Sequence, residues 1–397
     1  MSINDVTSQV SHFYDRFPYP DDPLKDGPPL GFNWRWSIDN VYSFCTGAII
    51  NKLNSSDSLE ILDAGCGSGV STDYLALLNP GSNILAIDIS EGALKVATER
   101  LKRSGGEKKA RLRFKNHNLL DISMEGPFDY INSIGVLHHL KDPLLGLKAL
   151  GSVLKPGGIL HLFLYARSGR RAIHHLQETL KLLNVFNDEN EIELARELIK
   201  NLPKNNYLRR DYEERWAIEC QSDVHFADMY LHPRETTFDL KSLLDLIEKS
   251  NLEFISFSNP QDWQLSNLMN GELLKRANSM PYKKQMLLIE NLNPDTSHFE
   301  FFLTKGPLQK YKWERDEELL LTSAKLNNCM WGWPGRKLHD SDMHQININS
   351  TELKFLQVVE NSAGTSLGLL PLDWDKSMIA STARDLQRKQ LLLLDPL

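Results

Sequence analysis

An open α/β fold is predicted for this chain, with a mostly parallel sheet of seven strands covered by helices on both faces. Three observations predict it. Two apolar runs end in acids, Asp63 and Asp88, and each suits a buried strand. Directly after the first comes Gly65-Cys66-Gly67-Ser68-Gly69, whose alternate glycines permit a tight strand-to-helix turn that a ligand can approach closely. Strand and helix patterns then alternate to about residue 303, as in parallel sheets with crossover helices.

Residues 1–50 form an extension rich in aromatics and prolines, including Phe13, Tyr14, Phe17, Tyr19, Trp34 and Trp36. Prolines 18, 20, 23, 28 and 29 argue against helix from 18 to 30. A strap that also lids the ligand is expected, with Tyr14 or Arg35 reaching it. The core follows over 51–306, with strands near 59–63, 84–88, 111–115, 129–134 and 159–165. Residues 166–235 are an insertion after the fifth strand. They include a helix marked by Ile192, Leu194, Leu198 and Ile199, and they hang over the mouth where open sheets bind ligands. Leu240, Leu243, Leu244 and Ile247 mark a helix over 238–250, and a strand follows at 252–258. Phe299 to Leu303 makes an antiparallel seventh strand. Residues 307–397 read as a small winged-helix-like unit for docking or self-association, with helices near 351–361 and 374–388 and a strand near 391–394.

The 397 residues are 41% hydrophobic and 24% charged, which is ordinary for a globular protein. A net charge of −7 does not suit a general nucleic-acid binder, and no polybasic patch suggests a membrane surface. Cys45, Cys66, Cys220 and Cys329 lack metal spacing, so reduced thiols in a cytoplasmic protein are expected. The polar N-terminus lacks a signal peptide's apolar core, and no apolar run approaches the roughly 20 residues of a membrane helix.

The glycine pattern is D-x-G-x-G-x-G, not the G-x-G-x-x-G that cradles a pyrophosphate. An acid there repels phosphate and suits a cation. Asp63 is placed to accept from an ammonium and Asp88 from a ribose. A ligand with an amino-acid end, a sulfonium and an adenosine fits both.

On these motifs residues 57–165 resemble the class I S-adenosylmethionine-dependent methyltransferases. The family's glycine motif matches residues 63–69 and its ribose acid matches Asp88, with Ile89 beside the adenine. Asn118, followed by Leu119, stands where the family has an acid near the adenine amino group. Residues 136–143 (Val-Leu-His-His-Leu-Lys-Asp-Pro) match the motif after the fourth strand, and Lys155-Pro156-Gly157-Gly158 the turn before the fifth. The resemblance implies a Rossmann-like sheet and S-adenosyl-L-methionine as cofactor. It is implied to sit on Asp63, Ala64, Gly65, Gly67, Gly69, Asp88, Ile89, Asn118 and Leu119, with Tyr14 and Arg35 from the lid.

Methyl transfer from a sulfonium needs alignment and a dry pocket, plus a base only where the acceptor holds its proton. His139 is the expected catalytic base; the alternative is a packing role shared with His138. His225, His232 and Asp228 have loose metal spacing, and no metal is expected. His174 and His175 read as a solvated helix face.

Residues 14–20, 33–36, 226–233 and 257–260 together are similar to phycobiliprotein asparagine N-methyltransferases. That resemblance implies a protein substrate, methylated on an asparagine side chain. The Asn-Pro-Pro-Tyr of many amide and amine methylators is absent, since Asn132 precedes Ser-Ile-Gly. The alternatives are a small-molecule O-, N- or C-methyltransferase, with the insertion closed around an apolar pocket, and a non-catalytic protein that binds the cofactor. Neither nucleic acid nor membrane is an expected partner.

Overall fold

The computed structural model describes residues 3–49, 58–186, 189–340 and 343–396. The expected boundary between residues 50 and 51 lies outside them. The main sheet contains β1 (Glu60–Ala64), β2 (Asn83–Asp88), β3 (Arg111–Asn116), β4 (Phe128–Ile134), β5 (Leu154–Tyr165), β6 (Glu253–Phe257) and β7 (His298–Thr304), in the order β3-β2-β1-β4-β5-β7-β6. β7 runs antiparallel to both neighbours, while β1 to β5 are parallel. The chain reverses its direction of strand addition between β1 and β4. Open sheets of this kind bind ligands at that crevice.

α1 (Ile3–Arg16) was not predicted. Its signal is plain in hindsight: Val6, Val10, Phe13 and Phe17 share one buried face. The helix is tied to the sheet side, where the Asp15 Oδ1 accepts from Ser90 Oγ at 2.8 Å and from Gly92 N at 3.0 Å. Its other side shares a core with the insertion, where Phe13 and Phe17 meet Leu176, Phe226 and Met229. Residues 18–30 hold no helix, consistent with their prolines. α2 (Ile38–Thr46) lies against the sheet through Ile38, Val41 and Tyr42.

α3 (Val70–Leu78) and α4 (Glu91–Ser104) follow β1 and β2, and α5 (Pro143–Val153) leads into β5. Asp142 caps α5, with proline in its first turn. The insertion supplies α6 (Arg171–Leu182), α7 (Glu189–Asn201), α8 (Tyr207–Asp211) and α9 (Asp223–Tyr230).

Beyond β7, strands Ser323–Leu326 and Leu392–Asp395 pair antiparallel, a hairpin joins Lys337–His339 to Gln345–Asn347, and helices Ser350–Asn361 and Lys376–Arg388 pack over them. Leu338, Phe355, Leu356 and Leu386 are fully buried in this unit. It is not a free appendage. Trp313 Nε1 donates to the Gly47 carbonyl at 2.6 Å, and Ile49 N donates to Leu394 O at 2.8 Å. Ala48 lies inside its core. Among the described residues, no helix is long and apolar enough to cross a membrane.

Candidate active site

A cavity of about 540 Å³ opens at the carboxyl ends of β1, β2 and β4, with α1 and α9 forming its opposite wall. Gly65 and Gly67 shape its floor. A Cβ on Gly65 would lie 2.3 Å from Val136 Cγ2. Gly67 has φ +51, and its N–H donates to Asp88 Oδ2 at 2.8 Å. A Cβ there would lie 2.3 Å from the Tyr19 carbonyl oxygen. The strap is also held by Ser68, whose N–H donates to Tyr19 O at 2.9 Å. Gly67 therefore lines the cavity as expected, and the space beside its Cα is taken by the strap.

Asp88 lines the cavity, and its Oδ1 accepts from Ser90 N at 2.9 Å. Burial pushes its carboxyl up to about 6, and the nearby Asp63 adds to this, against the opposing Ser90 and Gly67 N–H groups. Each oxygen keeps a lone pair for a hydroxyl. Ile89 and Leu119 give apolar walls alongside. Asn118 is also on the wall, but its Oδ1 accepts from Leu120 N at 3.0 Å. Its oxygen keeps a second lone pair and its amide nitrogen two donors, so Asn118 can meet the amino group or a ring nitrogen.

Four expected contacts are not on the wall. Asp63 is 1% exposed; Ser71, Thr72 and Asn132 donate to its carboxylate at 2.7, 2.6 and 2.8 Å. It braces the glycine turn and sends no oxygen into the cavity. Ala64 is buried in β1, and its carbonyl accepts from Ser133. Gly69 packs against Ala97 of α4. The Arg35 guanidinium lies 2.8 Å from Glu300, beneath the sheet's ligand end.

Asp63 and Arg35 belong to a polar chain that crosses four strands. Asn132 Oδ1 accepts from the Trp36 indole at 3.1 Å and faces His161 Nδ1 at 3.0 Å; His161 Nε2 faces Glu300 Oε1 at 3.1 Å. Burial holds the His161 imidazole below its ordinary range, against the upward pull of Glu300. Burial pushes the Glu300 carboxyl up, yet His161 and Arg35 outweigh this and hold it at about 2.

The far end of the cavity gathers Tyr14, His139, Tyr165, Arg170 and Asp228. The Tyr14 hydroxyl donates to Asp228 Oδ1 at 2.9 Å. His139 Nδ1 lies 2.8 Å from the Arg234 carbonyl, an acceptor, so Nδ1 carries the proton and Nε2 a lone pair. Burial holds the His139 imidazole below its ordinary range, hence neutral near pH 7. His138 instead stacks on Tyr165 with centroids 3.8 Å apart, fully buried. Arg170 and Glu235, which the sequence reading missed, form a buried bidentate pair at 2.8 Å with the guanidinium 3.6 Å over the Tyr165 ring. Their positions 65 residues apart carry no local signal.

His225 leaves the loose metal group and pairs with Asp21 at 2.8 Å. His139, Asp228 and His232 converge, with one ligand-capable atom from each lying within 4.8 Å of the others. His232 Nδ1 accepts from Arg234 N at 3.0 Å, so the neutral ring has its proton on Nε2. A ligating histidine donates from its other nitrogen, which this ring does not. The donor set does not fit a metal.

An adenosyl sulfonium does fit the cavity. Asp88 offers lone pairs beside apolar Ile89 and Leu119, and the glycine turn leaves the floor bare. Residues 62–160 match a family model described as a methyltransferase domain. An uncharacterised protein of Synechococcus sp. is 43% identical over 98% of this chain and 94% of its own length. An uncharacterised phycocyanin operon protein W of Pseudanabaena tenuis is 50% identical over 26% of this chain and 94% of its own length. The structure of PKMT2 from Rickettsia typhi in complex with AdoHcy resembles this fold with a TM-score of 0.61 and 16% identity, covering 93% of this chain and 77% of that one.

Proposed function

We propose that this chain, which belongs to the class I S-adenosylmethionine-dependent methyltransferases, methylates the side-chain nitrogen of an asparagine in a phycobiliprotein. The cofactor supplies a methyl group on a positively charged sulfur, and the S–CH₃ bond breaks with its electron pair left on sulfur. Asp88 would hold the ribose, and Ile89 and Leu119 would line the adenine site. α1 and residues 19–20 keep water from the reacting atoms. His139 Nε2 takes the proton that the amide nitrogen loses as its bond to the methyl carbon forms. The ring then passes that proton to solvent. Arg234 orients the base through Nδ1.

The observation that carries this reading is the lone-pair nitrogen of a buried neutral histidine at the cavity end opposite Asp88. Support for the acceptor comes from the relative named for the phycocyanin operon. The test is incubation of the enzyme and methyl-labelled S-adenosylmethionine with a cyanobacterial lysate and, separately, with purified phycocyanin. Label in the phycobiliprotein band is expected. Label confined to small molecules would replace the reading with small-molecule methylation, and no label anywhere would refute activity on either class.

A further inference from the structure

We propose that Arg170 donates to the carbonyl oxygen of the acceptor amide and stabilises the negative charge that gathers there during methyl transfer. This rests on the asparagine reading and deepens it. An amide nitrogen is a poor nucleophile because its lone pair is shared with the carbonyl. As its proton leaves for His139 Nε2, charge spreads over nitrogen and oxygen. The N–CH₃ bond then forms while the S–CH₃ bond breaks, and the product amide is neutral again. A fixed N–H donor on a cation, placed at the oxygen, favours the charged state over the starting amide.

Arg170 has the fixed position that this role needs. Its Nε and Nη2 both donate to Glu235 at 2.8 Å, a side-on pairing that leaves the outer end of the guanidinium free. Glu235 is itself held, since Gln177 Nε2 donates to it at 3.2 Å and His174 Nε2 lies 3.0 Å from it. Burial pushes the Glu235 carboxyl up, yet Arg170 outweighs this and keeps it well below its ordinary range, so the pair is ionised near pH 7. The guanidinium lies 3.6 Å over the Tyr165 ring, and His138 stacks on the same ring at 3.8 Å. Two groups that close to one centroid take opposite faces, so the ring is a rigid platform. Nη1 has no partner among the described residues, but it is not sealed off as the buried orphan atoms are. Arg170 is 3% exposed and forms part of the cavity wall, so the open side of Nη1 is the cavity. His139 lines the same end, its ring 5.9 Å from that of Tyr165. One planar amide can then give its N–H to His139 and its oxygen to Arg170. An amine acceptor has no such oxygen and gains nothing from this donor.

The test is single-turnover methylation of phycocyanin at saturating S-adenosylmethionine, with the methylated residue identified by mass spectrometry. Arg170→Lys keeps a charge beside Glu235 but loses the fork, and it should slow transfer about 10²–10³-fold. S-adenosylhomocysteine affinity and the half-saturating phycocyanin concentration should stay within about threefold, because the lost bond belongs to the transition state. If Arg170→Lys does not fold, Arg170→Met combined with Glu235→Met removes both buried charges together, and the same slowing is expected. A folded variant that transfers at the parent's rate would overturn the role of Arg170. So would a loss of rate matched by an equal loss of S-adenosylhomocysteine affinity, which would put Arg170 at the cofactor. Methyl on asparagine at an unchanged rate sinks only this role, whereas methyl on another residue sinks the acceptor reading and this role with it.

Discussion

Replacing Asp88 should damage the turn as well as the ligand site. Asp88→Ala leaves the Gly67 N–H, at 2.8 Å from Oδ2, and the Ser90 N–H, at 2.9 Å from Oδ1, without acceptors. An orphaned buried donor costs about 1–3 kcal/mol, so the variant should lose about 2–6 kcal/mol. That is a large part of the roughly 5–15 kcal/mol of a typical domain. Asp88→Asn keeps one acceptor oxygen and should lose about half as much. Its folded fraction should bind S-adenosylhomocysteine at least about tenfold more weakly, since charge-assisted bonds to the ribose are worth about 1.5–3 kcal/mol each. Urea unfolding with and without S-adenosylhomocysteine separates the two losses, and calorimetry gives the affinity. An Asp88→Ala protein within about 0.5 kcal/mol of the parent, at unchanged affinity, would refute this account of the turn.

Ribose binding needs Asp88 ionised, and its free-state value is about 6, so affinity should rise as pH rises through 6 and level off above it. The unliganded fold should move the opposite way, losing stability over that window, because a raised carboxyl pKa means the folded state holds the proton more tightly. Calorimetry in buffers of different ionisation heat should detect proton release near pH 6, and its persistence in Asp88→Asn would refute the assignment. Gly67→Ala should dislodge residues 19–20, because the new Cβ lies 2.3 Å from Tyr19 O; a crystal structure with the strap in place would contradict that. His139→Gln should slow single-turnover methylation about 10²–10⁴-fold with cofactor affinity kept. A lowered melting temperature at a normal rate would mean His139 only packs. Deleting 307–397 should yield an unstable protein, since Ala48 and Ile49 lose the Leu394 strand and Gly47 loses Trp313; a monodisperse truncation that binds S-adenosylhomocysteine would show the unit to be separable.

The sheet was legible because its signals are local. β1 and β2 are apolar runs that end in a turn signal, so β1 through Asp63 and β2 through Asp88 could be placed within a residue or two. Asp88, Ile89 and Leu119 reached the cavity wall because the ends of adjacent parallel strands must meet there. Asp63 did not, although its position in the strand was read correctly. Its hydroxyl partners, Ser71 and Thr72, lie on the following helix, where their direction is invisible to spacing. Arg35 was misplaced for a similar reason, since its Glu300 partner lies on β7, far along the chain. The pairing of Tyr14 with Asp228 joins α1 to α9 across 214 positions, so no window of sequence contains it. α1 itself was obscured by the prolines that follow it.

The most direct measurement is tandem mass spectrometry of phycocyanin purified from a strain lacking this enzyme, before and after incubation with the enzyme and S-adenosylmethionine. The account predicts one added methyl group on the side-chain nitrogen of a single asparagine, absent when the Asp88→Asn enzyme is used. Methyl on lysine, on a carboxylate or on no residue of the protein would contradict it.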